Sequence, residues 1–194
     1  MSDRAAEKRE LIIQKARKVF IKKGYKDVTM KDIVEACDIS RGGLYIYFDS
    51  IKDLFEAVLE AEEGKSDAEI SRRLPAVRNT EDVLTLFFKE QKKEILRKQD
   101  SLLTAIYEYE FINASKKNPS KNTYQSQIAK SQLFLRKLIE TANKSGELRV
   151  EDPRQVANHV VYALEGMKIM SRAGKLTEKD VDEELLRLID VIVG

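Results

Sequence analysis

Two helix starts stand eleven residues apart in the stretch from Val28 to Ser50, VTMKDIVEACDISRGGLYIYFDS. Thr29 is followed three residues later by Asp32, the register of a capping box. Ser40 is a good N-cap immediately before Arg41. The first helix is therefore held to about two turns, with Met30, Ile33, Val34 and Cys37 as its buried stripe. Asp38 and Ile39 form the turn, and the second helix follows at once. A short helix, a tight turn and a second short helix make a helix-turn-helix.

The second helix carries Gly42 and Gly43 in its first turn. Each glycine costs about 0.8 to 1 kcal/mol against alanine in a helix interior, so a compensating use for a bare surface is expected. In a helix-turn-helix the second helix lies in the major groove, and its first-turn side chains reach base edges. Glycines there let the backbone approach the bases, while Arg41 at the leading edge can pair with guanine O6 and N7.

Helical periodicity continues on both sides. Ile12, Ala16, Val19 and Phe20 form one stripe of a helix from about Arg4 to Lys23, stopped by Gly24. Ser50 and Asp53 repeat the capping-box register before a helix with Leu54, Phe55, Val58 and Leu59 inward, continuing towards Arg73 before Pro75 and Asn79 interrupt it. Asn79 caps a segment through about Lys98, and an aromatic-rich segment runs from Ser101 to about Ser115. After KKNPSKN a long helix ends at Gly146. Asp152-Pro153 opens the next, ending near Gly174, and Thr177 with Asp180 boxes the last. The expectation is an all-α chain of about nine helices, with residues 1–50 as a three-helix DNA-binding domain and 51–194 as a larger helical domain.

Composition excludes several classes. With 42% hydrophobic and 35% charged residues, the chain is neither disordered nor membrane-spanning in profile. The N-terminal MSDRAAEKRE lacks the apolar core of a secretory signal, so a cytoplasmic protein is expected. One cysteine and one histidine leave no thiol-based metal site, and no phosphate loop or nucleophile motif is present, so no catalytic activity, cofactor or metal is expected. Residues 1–52 hold 12 Lys and Arg against 8 Asp and Glu, while the remainder is slightly acidic. The basic excess thus sits where a nucleic-acid footprint would.

The segment from Val28 through VTMKDIVEACDISRGGLYIYFDSIKDLF resembles the N-terminal region of the tetracycline-repressor (TetR) family of bacterial transcriptional regulators. Thr29, Ile33, Ser40, Gly42, Leu44, Tyr45, Phe48 and Leu54 match at the family's spacing. The resemblance implies that Lys31 reaches a base or phosphate from the first helix of the motif. It places Arg41, Gly42 and Gly43 at base-facing positions, and Thr29, Tyr45 and Tyr47 at phosphates. Ile51 stands where the family typically has a phosphate-anchoring lysine, and Lys52, one residue on, is its expected substitute. Asp38 replaces the usual turn glycine, and Cys37 replaces a small core residue.

The resemblance also implies a homodimer on a palindromic operator, with the last two helices as the dimer bundle and Gly166 allowing close helix approach. His159 on the same helix reads as an interface or core residue. A cavity for a small, largely apolar effector is expected from some subset of Phe87, Phe88, Tyr107, Phe111, Tyr124, Phe134, Tyr162, Met167 and Met170. Glu108, Glu110 or Glu165 could face a cationic ligand there. Repression relieved by the effector is the expected outcome. Control by a protein partner, or without a small molecule, is the alternative.

Overall fold

In the computed structural model, residues 3–73, 79–97, 100–113 and 124–194 are described, the side chains of 65–73 excepted. Among them are nine α-helices and no strand: α1 (Asp3–Lys23), α2 (Met30–Cys37), α3 (Arg41–Tyr45), α4 (Ile51–Arg73), α5 (Thr80–Leu96), α6 (Leu103–Asn113), α7 (Tyr124–Ser145), α8 (Pro153–Arg172) and α9 (Glu178–Val193). The expected features at Pro75, Lys98, Ser115 and 116–122 lie outside the described residues. No described helix is long and apolar enough to cross a membrane.

Packing divides the chain into two units, one of Met1–Arg72 with Gln99–Tyr124 and one of Arg73–Lys98 with Gln125–Gly194. Within the first unit, aromatic residues hold α4 and α6 to the first three helices. Phe20 from α1 and Phe55 from α4 meet edge to face at 4.7 Å, and Tyr109 from α6 meets Tyr25 at 5.0 Å and Phe55 at 5.2 Å. Such pairs each add about 0.5 to 1.5 kcal/mol beyond their area burial. The phenol of Tyr109 stays satisfied because it donates to Glu56 Oε1 at 2.5 Å.

The turn after α1 shows why this unit includes α6. Gly24 adopts φ +79, and its N–H donates to the Phe20 carbonyl at 2.8 Å, the left-handed helix stop that glycine permits. The following N–H groups of Tyr25 and Lys26 donate to one carboxylate oxygen of Glu108, at 2.6 and 3.0 Å. Glu108 therefore secures the α1 stop rather than waiting for a cationic ligand, as the sequence had allowed.

In the second unit, Phe88 of α5, Leu135 and Ile139 of α7, Val160 and Leu164 of α8 and Leu188 of α9 are buried together. The end of α5 is completed by α8: Ser171 donates its hydroxyl to the Ile95 carbonyl at 2.5 Å, and Arg172 reaches the carbonyls of Ile95 and Glu94 at 3.2 and 3.1 Å. Carbonyls that a helix leaves unpaired at its C-terminus are thereby satisfied inside the unit. Gly146, at φ +82, closes α7 with its N–H to Asn143 and the Glu147 N–H to Ala142, a Schellman ending. Asp152 caps α8 and the Thr177–Asp180 box opens α9, as the sequence indicated.

Candidate nucleic-acid interface

The helix-turn-helix is built by its caps. Thr29 Oγ1 accepts the Asp32 N–H at 3.3 Å, and the Asp32 carboxylate accepts from the Thr29 N–H and hydroxyl, both at 2.8 Å. Lys23, in the last turn of α1, reaches Asp32 at 2.5 Å. The hydrogen bond from Lys23, followed by those from Thr29, holds the Asp32 carboxyl well below the usual aspartate range, at about 2. Thr29 was expected to touch phosphate, but its hydroxyl is committed in both directions to this cap. A phosphate would have to compete with the charged Asp32 for it.

Only Ile33 of the expected α2 stripe is fully buried. Met30, Val34 and Cys37 are partly buried against the same core. Burial pushes the Cys37 thiol upward, away from its reactive form. Asp38 closes α2 at φ +53, its N–H shared between the Glu35 and Val34 carbonyls. Here aspartate performs the left-handed turn usually given to glycine, a conformation Asp visits more readily than most residues.

Ser40 then accepts the Gly43 N–H at 3.1 Å and starts α3, which has five residues and is shorter than SRGGLYIYF suggested. Leu44 is fully buried and fixes the rotation of α3 about its axis. At about 100° per residue, Gly42 and Ile46 fall opposite Leu44, while Tyr45 and Gly43 fall on the flanks. Nothing lies within 4 Å of where a Cβ at Gly42 would stand, so that part of the helix surface is open. A Cβ at Gly43 would meet Ser40 Oγ at 3.1 Å, so Gly43 also makes room for the cap.

The remaining expected contacts surround this surface. Arg41 is exposed, with its guanidinium 5.7 Å from the ring centroid of the exposed Tyr45. Lys31 is exposed and only loosely attended by Glu35 at 3.8 Å, while Lys52 is closer to its own helix, 3.6 Å from Glu56. Tyr47 is half-buried and packs against the core beside Phe48. Two residues outside the expected set lie close to the motif. Arg9 of α1 lies over the Phe48 ring at 5.1 Å, and Ile46 is 78% exposed. Ile46 was hidden in the apolar run LYIYF, although its four-residue spacing from Gly42 could have revealed it.

The expected effector residues do not gather in one place. In the second unit, Phe87 meets Phe88 at 5.4 Å and Phe134 at 6.0 Å. In the first, Tyr107 and Tyr124 meet at 5.5 Å, with hydroxyls 3.3 Å apart. Beside them Glu110 accepts the Tyr124 N–H at 2.9 Å, and burial pushes its carboxyl upward. Phe88 and Met167 are core residues. Phe111 is 75% exposed and Tyr162 63% exposed, which does not suit the wall of an enclosed cavity. The helical period that turns Tyr109, Val161 and Leu164 inward turns these two outward. Met170 is exposed on the same helix as Tyr162, and Glu165 is paired with Lys168 at 2.7 Å.

The described residues are all helical, and the N-terminal unit displays a capped helix-turn-helix. A family model described as "Bacterial regulatory proteins, tetR family" matches residues 12–58. Residues 12–58 are thus similar to the tetR family's N-terminal region, and the fold is that of solved TetR-family regulators. It is 45% identical over 49 residues to the uncharacterized HTH-type transcriptional regulator YfiR of Bacillus subtilis (strain 168), a match covering 25% of this chain and 24% of that protein. Such matches span only 18 to 30% of the curated relatives' own length.

Two solved structures share the fold across nearly the whole chain. A putative transcriptional regulator from Saccharomonospora viridis in complex with choline has a TM-score of 0.79 at 20% identity, covering 96% of each chain. AibR in complex with isovaleryl coenzyme A and operator DNA has a TM-score of 0.66 at 18% identity, covering 92% of this chain and 96% of that one.

Proposed function

We propose that this protein is a cytoplasmic, non-enzymatic transcriptional repressor that binds a palindromic operator as a homodimer and is released by a small, largely apolar effector. The observation that carries the reading is the surface of α3: an open Gly42 opposite buried Leu44, with Arg41 and Tyr45 exposed beside it. A helix of this shape can enter a major groove, with Arg41 available for a bidentate contact to guanine and Lys31 approaching from α2.

Two exposed apolar stripes support the dimer. Tyr162, Ile169 and Met170 on α8, and Leu186 and Val193 on α9, are each 46% exposed or more. Gly166 lies between Tyr162 and Met170 on α8 with open space at its Cβ position, which favours close approach of a second helix. Extended apolar patches on soluble proteins mark interaction surfaces, and two-fold symmetry would present one α3 to each operator half-site. His159 is exposed on the same helix, in line with an interface position.

The effector reading draws support from the neighbours with choline and isovaleryl coenzyme A, and from the Phe87–Phe88–Phe134 and Tyr107–Tyr124 groups in this chain. An effector would act by binding more tightly to a conformation with low operator affinity. Selection of duplexes from a random pool, followed by mobility shift at moderate salt, tests the DNA claim. A common palindromic motif is expected, and an unenriched pool refutes the reading. A thermal-shift screen of small organic cations and acyl thioesters tests the effector claim, since a ligand bound only by the folded state raises Tm.

A further inference from the structure

Ile46 is the most exposed of the large apolar side chains among the described residues, at 78%. It stands at the C-cap of α3 in right-handed helical conformation, φ −64 and ψ −28, with its N–H donated to the Gly42 carbonyl at 3.3 Å. Gly42 and Ile46 are thus one turn apart on one face, and both lie opposite Leu44, which is fully buried. No other residues of α3 point as directly away from the core. An isoleucine left in water forgoes the roughly 1.5 to 3 kcal/mol that burial of such a side chain provides. Something in the bound state should cover it.

The surroundings specify the occupant. Tyr45, next to Ile46, is exposed, Arg41 stands exposed at the opposite end of α3, and Lys31 stands exposed on α2. A protein partner with an apolar patch would have to face these cations, whereas duplex DNA combines phosphates with an apolar group in the major groove. That group is the thymine C5-methyl, which protein side chains read by apolar contact. The bare Gly42 beside Ile46 lets the helix settle deep enough for the side chain to reach it.

We propose that Ile46 is a specificity-determining residue of the DNA-binding surface and reads the C5-methyl of a thymine, with the open backbone at Gly42 admitting the base edge. The assignment rests on the operator-binding reading. It divides the recognition labour of α3: Arg41 takes a guanine by hydrogen bonds, and Ile46 takes a thymine by shape. A helix with two glycines in its first turn then retains direct readout at both ends.

The test begins with motifs selected from a random duplex pool by the full-length protein and by Ile46→Ala. A thymine required by the wild type should become degenerate for the variant. That thymine is then replaced by deoxyuridine, which lacks only the methyl, and affinities are measured by fluorescence anisotropy. Wild-type protein should lose about fourfold, the value of one buried methyl-sized group, while Ile46→Ala should bind both duplexes alike. Ile46→Val, which keeps a branched apolar side chain, should retain the preference for thymine and serves if the alanine variant binds too weakly to measure. Equal deoxyuridine sensitivity in wild type and Ile46→Ala, or the same motif from both, overturns the assignment and leaves operator binding intact. Failure of the wild type to select any motif overturns operator binding itself.

Discussion

Replacing Gly42 with alanine should separate what the helix needs for folding from what it needs for binding. The residue is second in a five-residue helix, its φ is not left-handed, and nothing lies within 4 Å of an added Cβ. Alanine is favoured over glycine in a helix interior by about 0.8 to 1 kcal/mol, and near the first turn about half to all of that should be realised. For a chain of this length a stabilisation of about 0.5 to 1 kcal/mol raises Tm by about 1 to 4 °C. The same methyl would stand between the helix backbone and the base edges. Lifting α3 from the groove weakens the Arg41 contact, itself of the order of 1 to 3 kcal/mol, so operator affinity should fall by about tenfold or more. Thermal denaturation of the free protein and anisotropy titration on the selected duplex measure the two effects. Wild-type affinity in Gly42→Ala would refute the groove role of the bare surface, and a lower Tm would refute the open geometry at this position.

Gly24→Ala should be destabilising by about 2 kcal/mol, lowering Tm by about 4 to 8 °C, because φ is +79 and the new Cβ would push Glu108 from the N–H groups of Tyr25 and Lys26. An unchanged melting curve would contradict the role given to that carboxylate. Asp32→Asn should lower Tm at neutral pH. The Asp32 carboxyl is held at about 2, below its unfolded value, so its contribution is complete above the unfolded value and disappears as pH falls through the folded one. The Tm gap between variant and wild type should therefore close between about pH 5 and pH 2; a constant gap speaks against the cap. Tyr47→Phe should weaken binding to all duplexes alike with little change in the salt slope, because a neutral phenol displaces few counterions; a large slope change would contradict a phosphate contact.

The local grammar of the fold was legible because it depends on neighbours in sequence. Thr29 with Asp32, Ser40 before Arg41, Ser50 with Asp53, and Thr177 with Asp180 all signal helix starts through side chains that bond three residues ahead. Gly24 and Gly146 signal stops by the same local logic. Tertiary roles were less accessible. That Glu108 serves a turn more than eighty residues away, or that Tyr109 binds α6 to Tyr25 and Phe55, requires knowing which helices meet. The expected effector residues are aromatics and methionines at helical spacing, a pattern shared by core, surface and cavity alike. Tyr162 and Phe111 prove to be outward-facing, while Met167 is core. On the DNA-facing surface, the glycines and Arg41 stood out by type, but Ile46 required the axial rotation that Leu44 sets.

Sequence-selective operator binding through α3 is measured by comparing wild-type and Arg41→Ala protein on the selected operator and on a scrambled duplex of equal length at one fixed salt concentration. The wild type should bind the operator tightly and selectively, and the variant should lose about 1 to 3 kcal/mol on the operator alone. Equal affinities of wild type for both duplexes, or equal losses on both for Arg41→Ala, would contradict selective binding through α3.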